Sequence, residues 1–418
     1  MQSVPEAVAR ILEGIRPLGT ESVPLRDALG RVLAEDVRSP ITLPHWTNSA
    51  MDGYAVRGTD VLGASEGAPV ELPVIETVAA GAFPTLPLGA RQATRIMTGA
   101  PLPDGADTVV RVEDTDAGLE RVRILKDRDA GKNFRLRGED IHEGRVALPR
   151  GIPVGAAQVG ILASIGQATA LVHRRPRVAI LGSGDELVDL DRFDEVRVGR
   201  KIVSSNAYTL DALVRVNGGE PIGLGHAADT LESMRALLER AVAARPDLIV
   251  TSAGVSVGEY DHTRAALEAM GATMGFWKVR MRPGAPLGFG TVAGIPWIGL
   301  PGNPVSAMVT FELFVRPVVR RMLGHVRLHR RPVPVTLEET VSIGAKLTHF
   351  LRAVVTPRAD GSLGARLTGP QGSGILTSMS LANALLVVPE DRGTVPAGER
   401  LSALLLTEDA GTAEGFAL

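Results

Sequence analysis

The sequence predicts a multidomain α/β and β protein, in which a central α/β domain with a mostly parallel sheet follows an inserted β-rich domain and precedes a small C-terminal β-barrel-like domain. Strand and helix patterns alternate from Arg175 to Leu323, which is typical of a parallel sheet with helices on both faces. On either side, the pattern changes to short strands broken by Gly and Pro. The 418 residues are enough for three or four domains at roughly 150 residues each. We predict an N-terminal linking domain (1–40 with 139–174), the insert (41–138), the α/β domain (175–325) and the C-terminal domain (326–418).

The composition excludes several classes of function. There are no cysteines, which excludes disulfides, thiolate nucleophiles and cysteine-ligated zinc or iron–sulfur sites. The formal net charge of −2 gives no overall attraction to nucleic acid or anionic membranes, and 4% aromatic residues argue against base stacking as the main binding mode. Glu6, Arg10 and Glu13 argue against a signal peptide, and no apolar run reaches the ~20 residues of a membrane span. We therefore expect a cytoplasmic protein that binds neither nucleic acid nor membranes.

The first elements are predicted from local patterns. Residues 3–15 form an amphipathic helix, since Ser3 and Glu6 have the spacing of a capping box and the apolar residues share one face. In the insert, short strands are predicted at 55–56, 70–78 and 108–112. A small-residue helix at 156–165 ends at Gly166, and we expect it to return to the N-terminal helix.

The central domain is predicted as alternating strands and helices. Its strands are predicted at 177–181, 221–224, 248–250, 274–279 and 297–300. Its helices are predicted at 206–216, from Thr230, from Asp261 to Met270, and from Pro304 toward Leu323 with a kink at Pro317.

Residues 251–261 (TSAGVSVGEYD) connect a predicted buried strand to a predicted helix and form a candidate ligand site. The amides of such a small, glycine-rich loop and the N-terminus of the next helix favour an anion. A tight turn without a ligand explains this stretch equally well by itself. Because ligands bind where parallel strands end, residues 182–186, 225–229 and 301–304 should join the loop at one edge of the sheet. That convergence favours the ligand site.

Charged residues accompany these strand ends. The carboxylates are Asp185, Glu186, Asp229, Glu259 and Asp261. Carboxylates beside a phosphate-binding edge are the usual arrangement for holding Mg²⁺.

Lys278, Arg280 and Arg282 follow one another at alternate positions of the next strand and should point to one face. A solvated sheet edge is one explanation. Three neighbouring cations repel each other, however, so a phosphate or a tetrahedral oxyanion between them is the better account.

Three polar clusters stand out in and just after the insert, at 48–54, 97–107 and 137–140, and each by itself fits a solvated turn. The chain lacks the Gly-Lys-Ser/Thr ending of a phosphate loop and the spacing of a dinucleotide fingerprint. The residues alone therefore indicate Mg²⁺-assisted phosphate or anion chemistry in the α/β domain.

Several long motifs occur in order along the chain. They are 48–55 (NSAMDGYA), 97–100 (MTGA), 138–140 (GED), 184–187 (GDEL), 255–259 (VSVGE), 278–284 (KVRMRPG), 300–307 (LPGNPVSA) and 372–379 (GSGILTSM) with Ala382-Asn383. In these motifs the chain resembles, over essentially its whole length, the molybdopterin molybdenumtransferase or MoeA family, which includes the E domain of gephyrin.

The resemblance implies a central domain of the molybdopterin-binding type and a specific reaction. Adenylylated molybdopterin binds, its pyrophosphate bond is cleaved with release of AMP, and molybdate is inserted at the dithiolene in the presence of Mg²⁺. It also implies a homodimer whose cleft uses both subunits, with transient contacts to a molybdopterin adenylyltransferase and to acceptor apo-enzymes.

The resemblance also implies roles for single residues. Asp52, Thr98 and Asp140 would complete the cleft from the partner chain, while Glu186, Asp229 and Asp261 would be catalytic carboxylates for metal and phosphate. Lys278, Arg282, Arg352 and Ser373 would hold molybdate or phosphate. The pterin and nucleotide would be held by Gly182, Ser183, Gly184, Asp185, Ser252, Gly254, Ser256, Gly258, Pro301, Gly302 and Asn303.

Four positions depart from the family pattern. Ala253 stands where a second glycine is usual, and Arg282 replaces a lysine, which keeps the charge but adds bulk and a planar fork. Ala285 stands where a lysine is frequent, and Thr230 where a second aspartate is common.

Two other classes of function are alternatives. A non-catalytic scaffold of the gephyrin kind would cluster a partner through its dimer, but the chain has no long disordered linker or fused second domain. A nucleotide-processing protein would share only the molybdopterin-binding-type domain, whereas motifs also occur on both flanking β domains.

Overall fold

The structure is a computed structural model that describes residues 1–254, 262–344 and 346–407, and only the backbone of residues 276 and 277. The chain forms two compact units. The first contains Met1–Ala34, Gly151–Gly155 and the chain from Thr169 onward, and the second contains Glu35–Arg150 and Ala156–Ala168. The boundaries of the four predicted domains stay predictions.

Helix α1 (Val4–Glu13) begins at the predicted capping box. The Ser3 amide donates to the Glu6 carboxylate at 2.8 Å, and the Glu6 amide donates to Ser3 Oγ at 3.4 Å. Its buried residues Ala7 and Ile11 belong to the same apolar core as Phe311. This core fixes α1 against the last helices of the central domain.

The first eleven strands have two to nine residues. They are β1 (Thr20–Pro24), β2 (Val37–Arg38), β3 (Asn48–Ser49), β4 (Gly53–Val56), β5 (Val70–Val78), β6 (Ala93–Ile96), β7 (Thr108–Arg111), β8 (Arg121–Ile124), β9 (Phe134–Arg135), β10 (Val146–Leu148) and β11 (Thr169–His173). Single 3₁₀ turns occur at Leu25–Asp27, Gly58–Asp60, Val112–Asp114 and Leu190–Arg192.

The second unit is built on a five-stranded sheet in the order β7-β4-β6-β5-β8. The predicted strands of the insert are confirmed as β4, β5 and β7. Tyr54, Leu72 and Ile124 lie in its core and are completely buried. Two small antiparallel pairs, β2 with β10 and β3 with β9, complete the unit.

Helix α2 (Ala156–Ser164) is confirmed, and Gly166 after it has a φ of +77°, the left-handed conformation typical of a helix end. This helix groups with the second unit. The return to the N-terminal region is made instead by Gly151–Gly155 and by β11, which pairs antiparallel with β1.

The central domain contains the following elements in chain order: β12 (Arg177–Ser183), β13 (Leu187–Val188), α3 (Phe193–Arg197), β14 (Ile202–Val203), α4 (Ser205–Val216), β15 (Glu220–Ala227), α5 (Leu231–Ala243), β16 (Leu248–Ser252), α6 (His262–Ala269), β17 (Thr273–Lys278), β18 (Met281–Arg282), β19 (Pro286–Val292), β20 (Ile295–Leu300), α7 (Pro304–Thr310) and α8 (Arg316–Met322).

Its six-stranded sheet has the order β15-β12-β16-β20-β19-β17. The first four strands are parallel, which confirms the mostly parallel sheet, and they end at one edge. The sequence did not predict β19, which runs antiparallel to both β20 and β17. The irregularity expected in the last helix is a π-helical segment, Phe311–Val315, that ends two residues before Pro317.

The C-terminal domain contains β21 (Pro332–Leu337), β22 (Val341–Ser342), β23 (Thr348–Pro357), β24 (Leu363–Leu367), α9 (Leu376–Leu381), β25 (Ala384–Val388), β26 (Thr394–Val395) and β27 (Arg400–Leu405). Strands β23, β24, β21, β27 and β25 pair in a closed ring, since β25 pairs again with β23. The predicted barrel is therefore confirmed. Strand β18 adds to it by pairing with the first residues of β23.

No helix in the described part of the chain combines the length and the apolar character that a membrane span requires.

Candidate functional site

A cavity of about 460 Å³ opens where the parallel strands of the central sheet end. We call it the edge cavity. The turns after β12, β16 and β20, together with residue 225 of β15, contribute to its wall, which confirms the predicted convergence of strand ends. Among the predicted site residues, its lining contains Gly182, Ser183, Glu186, Ser252, Gly254, Pro301, Gly302 and Asn303.

The backbone turns sharply beside this cavity at the end of β16. Ala253 has a φ of +78°, a conformation that residues other than glycine rarely adopt. Gly254 follows with a φ of +72°, and a Cβ there would lie 1.8 Å from Thr263 Oγ1. A Cβ on Gly302 would lie 3.2 Å from the Cβ of Ala253. Ala253, which stands where the family usually has a glycine, is therefore strained and packs against Gly302, where there is little room for a side chain.

Asn206, in the first turn of α4, ties two of the strand ends together. Its Nδ2 donates to Ser252 Oγ and to the Gly302 carbonyl oxygen, both at 2.7 Å. Because a carbonyl only accepts, the bond to Gly302 determines which end of the amide is nitrogen. The Asn206 Oδ1 is buried without a hydrogen-bond partner among the described residues. Asn206 thus holds the cavity wall and keeps one acceptor unused.

Two of the predicted carboxylates join the ends of β12 and β15. The Asp185 amide donates to Asp229 Oδ2 at 3.2 Å, and the Asp229 amide donates to Asp185 Oδ1 at 3.0 Å. Gly184 has a φ of +149°, which residues with a side chain rarely adopt, and a Cβ there would lie 2.6 Å from the Glu186 carboxylate. Within residues 1–254, 262–344 and 346–407, no three acidic or histidine side chains gather as a metal site.

The departure at Thr230 has a local structural role. Its side chain accepts from the Ser233 amide at 3.2 Å and caps α5. Threonine is a favourable residue at this position, so the replacement of an aspartate preserves the start of the helix.

The predicted row of three cations is wrong. Lys278 ends β17 in the central sheet and is exposed. Arg280 lies in a bend, where its amide donates to the Gln2 carbonyl at 2.7 Å and its side chain forms an ion pair with Glu390 at 3.3 Å. Arg282 lies on β18, which pairs with the barrel. The three side chains do not share a strand because the chain leaves one sheet and enters another between them.

A second cavity, of about 340 Å³, lies beside β18 at the barrel and is lined by both Arg282 and Arg352. We call it the barrel cavity. Arg352 is completely buried; its Nε donates to Ser378 Oγ and its Nη2 to the Gly372 carbonyl, both at 3.0 Å. Its Nη1 has no partner among the described residues. Burial lowers the pKa of Arg352. A buried, incompletely paired guanidinium is unfavourable, and an anion in the cavity would offset that cost.

Ser373, predicted to hold the same anion, lies next to this cavity in sequence but is not part of its lining. Its carbonyl accepts from the Val305 amide at 3.1 Å, which ties the loop before α9 to the start of α7.

Asp52 and Thr98, from distant motifs of the insert, are brought together. The amide and the hydroxyl of Thr98 both donate to Asp52 Oδ1, each at 2.7 Å. These two bonds, the amide first, hold the pKa of the exposed Asp52 carboxyl below its ordinary value. The carboxylate is therefore ionised and fixed in direction.

Asp140 lines a third cavity, of about 520 Å³, together with Glu139 and His142. We call it the insert cavity. Gly138 has a φ of +79°, and a Cβ there would lie 2.4 Å from the His142 ring. The Asp140 amide donates to the Leu43 carbonyl at 3.2 Å. The glycine of the GED motif therefore allows the turn that presents Asp140.

The predicted residues Ser256, Gly258 and Asp261 lie outside the described residues. Sequence reasoning did not single out Asn206 or His349, of which the second also lines the barrel cavity. For Asn206 there was a signal: it begins the first helix that was predicted after the glycine-rich end of β12. His349 lies in a predicted strand region, and nothing in the residues around it indicates that it lines a cavity.

Three family models cover most of the chain. They are "MoeA N-terminal region (domain I and II)" over residues 2–166, "Probable molybdopterin binding domain" over residues 179–321, and "MoeA C-terminal region (domain IV)" over residues 334–406.

Similar proteins match over nearly the full length. Molybdopterin molybdenumtransferase 2 of Mycobacterium tuberculosis is 40% identical over 97% of this chain and 100% of its own. Molybdopterin molybdenumtransferase of Nostoc is 40% identical over 93% of this chain and 89% of its own. The crystal structure of a molybdopterin biosynthesis MoeA protein from Pyrococcus horikoshii superposes with a TM-score of 0.82 at 29% identity, over 97% of this chain and 100% of that one. With its three matched regions in order and its fold shared from end to end, the chain belongs to the molybdopterin molybdenumtransferase (MoeA) family.

Proposed function

We propose that the protein inserts molybdenum into molybdopterin, using adenylylated molybdopterin and molybdate as substrates and releasing AMP. The observation that carries this proposal is the edge cavity, where the turns after β12, β16 and β20 and residue 225 of β15 meet in a molybdopterin-binding-type domain. The relatives whose names state this activity match the whole chain rather than that domain alone, which supports the transferase over a nucleotide-processing protein.

The edge cavity is the proposed site of the pterin and nucleotide. Its small, hydroxyl-bearing residues Ser183 and Ser252 and its glycines let a ligand approach the backbone closely. Gly184 and Asp185 support this wall from the turn after β12. Ser256, Gly258 and Asp261 of the neighbouring loop are assigned here on the family resemblance alone.

Mg²⁺ is the proposed cofactor, held by Glu186, Asp229 and Asp261. Two observations support this proposal: Glu186 lines the edge cavity, and Asp229 keeps one carboxylate oxygen without a hydrogen bond in the described part of the chain. Asp261 is assigned on the family resemblance alone. Hard carboxylate oxygens are the ligands that Mg²⁺ prefers. When bound, the ion would neutralise charge on phosphate oxygens.

The barrel cavity is the proposed molybdate site. Arg282 and Arg352 provide two guanidiniums, and Arg352 has an N–H group without a partner among the described residues. A tetrahedral oxyanion would accept from these donors. Lys278 and Ser373 are assigned to the same anion on the family resemblance.

We further propose a homodimer in which Asp52, Thr98 and Asp140 of one chain complete the cleft of its partner. The exposure of the Asp52–Thr98 pair and of Asp140 leaves these groups free to face another chain. A cytoplasmic location and transient contacts with a molybdopterin adenylyltransferase and with acceptor apo-enzymes complete the proposal.

The direct test supplies adenylylated molybdopterin, Mg²⁺ and molybdate, and follows AMP release together with recovery of a molybdenum-dependent apo-enzyme. Neither product would form if the transferase proposal were wrong. Asp52→Ala and Asp140→Ala should abolish activity without unfolding the protein. Glu66→Ala is the matched control, because this carboxylate is exposed in the same unit and its one ion pair among the described residues is with Lys126, at 3.5 Å.

The shared cleft has its own test. Mixed dimers of Asp52→Ala and Glu186→Ala chains contain one intact cleft if the two residues act across subunits. Activity should then return on mixing, and its absence would contradict the shared cleft.

A further inference from the structure

His349, the second residue of β23, is a titratable group in the barrel cavity to which no role has been assigned. It is only 4% exposed and pairs in register with Arg282 of β18. Its Nδ1 lies 2.8 Å from the Leu347 carbonyl oxygen. Because a carbonyl only accepts, Nδ1 carries the hydrogen, and the neutral ring keeps a lone pair on Nε2. That nitrogen has no hydrogen-bond partner in the described part of the chain, and His349 lines the barrel cavity.

The charged groups around the cavity are all cationic. Arg282 contributes one guanidinium from β18 and Arg352 another from β23, and no acidic residue is found in the described lining. The residue opposite His349 on β25 is Val388, which is uncharged. Glu390, just beyond β25, is already paired with Arg280.

These surroundings keep the ring neutral in the absence of an anion. Burial lowers the pKa of His349, the bond to the Leu347 carbonyl raises it, and the charge of Arg282 lowers it again, with a net decrease. A dianion in the cavity would raise the pKa of His349, because a negative charge within a few ångströms favours the protonated ring.

We propose that His349 is a third, proton-dependent donor of this oxyanion site: when a tetrahedral dianion binds with Arg282 and Arg352, Nε2 takes up one proton from solvent and donates it in a hydrogen bond to the anion. This inference rests on the proposed molybdate site. It makes His349 a determinant of specificity for dianions. A monoanion neutralises less of the positive charge of the two arginines, so it stabilises the protonated imidazolium form of His349 less.

The proposal predicts a defined pH dependence. Below the pKa of the free ring, His349 is protonated with and without the anion, so its contribution to binding does not change with pH. Above it, binding requires proton uptake, so the affinity falls by up to about tenfold per pH unit between the lowered pKa of the free ring and the higher pKa of the ring with the anion bound. Loss of a fixed hydrogen bond alone would weaken binding equally at every pH.

Isothermal titration calorimetry of the full-length protein with sodium molybdate, and separately with sodium sulfate, tests the proposal. Both probes remain dianions above about pH 6, so any change in proton binding belongs to the protein. Titrations in two buffers of different ionisation enthalpy give the number of protons taken up. We expect uptake approaching one proton in the native protein near pH 7 and none in His349→Gln, whose binding becomes independent of pH.

Arg352→Gln locates the binding, with thermal unfolding as the check that each variant folds. Loss of molybdate binding in this variant, with proton uptake in the native protein, supports the inference. Molybdate binding that needs Arg352 but involves no proton uptake overturns the role of His349 and leaves the proposed site intact. Absence of binding to the native protein, or binding that survives Arg352→Gln, overturns the molybdate site itself. The proton count on the native protein needs no variant, so poor folding of His349→Gln does not prevent a decision.

Discussion

The contact between Ala253 and Gly302 gives a quantitative test of the geometry of the edge cavity. A Cβ added to Gly302 would lie 3.2 Å from the Ala253 Cβ, whereas carbon atoms in good contact are about 3.5–4.0 Å apart. Overpacking a tight site costs about 1–3 kcal/mol, and the more restricted unfolded chain of a Gly→Ala variant offsets about 0.4–1 kcal/mol of it. With Ala253 held in place, Gly302→Ala should therefore lower the free energy of unfolding by about 1 kcal/mol.

Ala253→Gly should remove this penalty. The substitution removes the strain of an alanine in the left-handed conformation, which costs the folded state about 1 kcal/mol. It also increases the conformational entropy of the unfolded chain, which lowers stability by about 0.4–1 kcal/mol, so the single variant should differ little in stability from the native protein. In the Ala253→Gly background, the next contact of the new Cβ is the residue 253 Cα at 3.6 Å, which is an ordinary separation. The double-mutant cycle should therefore show a coupling of about 1 kcal/mol.

Urea unfolding of the four proteins, followed by tryptophan fluorescence, measures the cycle. Buried Trp297 on β20 contributes to the signal from this sheet. Gly223→Ala on β15 is the control, because a Cβ there meets no atom within 4 Å and should not couple to residue 253. Additivity within about 0.3 kcal/mol would refute the contact and the backbone geometry from which it follows.

Three further predictions concern hydrogen bonds and protonation. Thr98→Val removes the hydroxyl donor but keeps the amide, so the pKa of Asp52 should rise part of the way to its ordinary value in a carboxyl NMR titration. Asn206→Leu and Asn206→Asp both lose the two donated bonds and should each lower the free energy of unfolding by about 1–3 kcal/mol in urea. Burial and the cations Arg320 and Arg316 lower the pKa of His325 from 6.5 to about 4, so unfolding takes up a proton between these values. Stability should therefore decrease by up to about 3 kcal/mol as the pH falls from 6.5 to 4, and His325→Gln should remove this part of the decrease.

Each of these has a contrary outcome. An unchanged pKa of Asp52 would mean that the hydroxyl bond does not form in solution. If only the leucine variant of Asn206 were destabilising, packing rather than hydrogen bonding would hold the cavity wall. Parallel stability profiles of the native protein and His325→Gln between pH 4 and 6.5 would show that His325 is not buried in its neutral form.

Local patterns predicted many of the elements well. The capping box of Ser3 and Glu6, the strand Val70–Val78 and the glycine that ends α2 all follow from interactions between residues close in sequence. The convergence of strand ends was also predictable, because parallel strands joined by helices end at the same edge of a sheet whatever their side chains are.

Patterns that depend on distant partners were not predictable. Strand β19, rich in glycine and beginning at Pro286, is recognised only by its pairing with β20 and β17. The alternation of Lys278, Arg280 and Arg282 suggested one strand, but the bonds of Arg280 to Gln2 and Glu390 divide the segment between two sheets.

Motif spacing and hydrophobic periodicity were enough to predict the family, the order of α/β and β regions, the barrel, and the edge where the strand ends converge. The folded structure was needed to show that Arg352 is completely buried, with one N–H unpaired among the described residues, and that Thr98 fixes the Asp52 carboxylate. It was also needed to show that His349 lines a cavity whose described lining contains no acidic residue. Burial, pairing and protonation are properties of surroundings that residues distant in sequence create together, so they are specified only when the chain has folded.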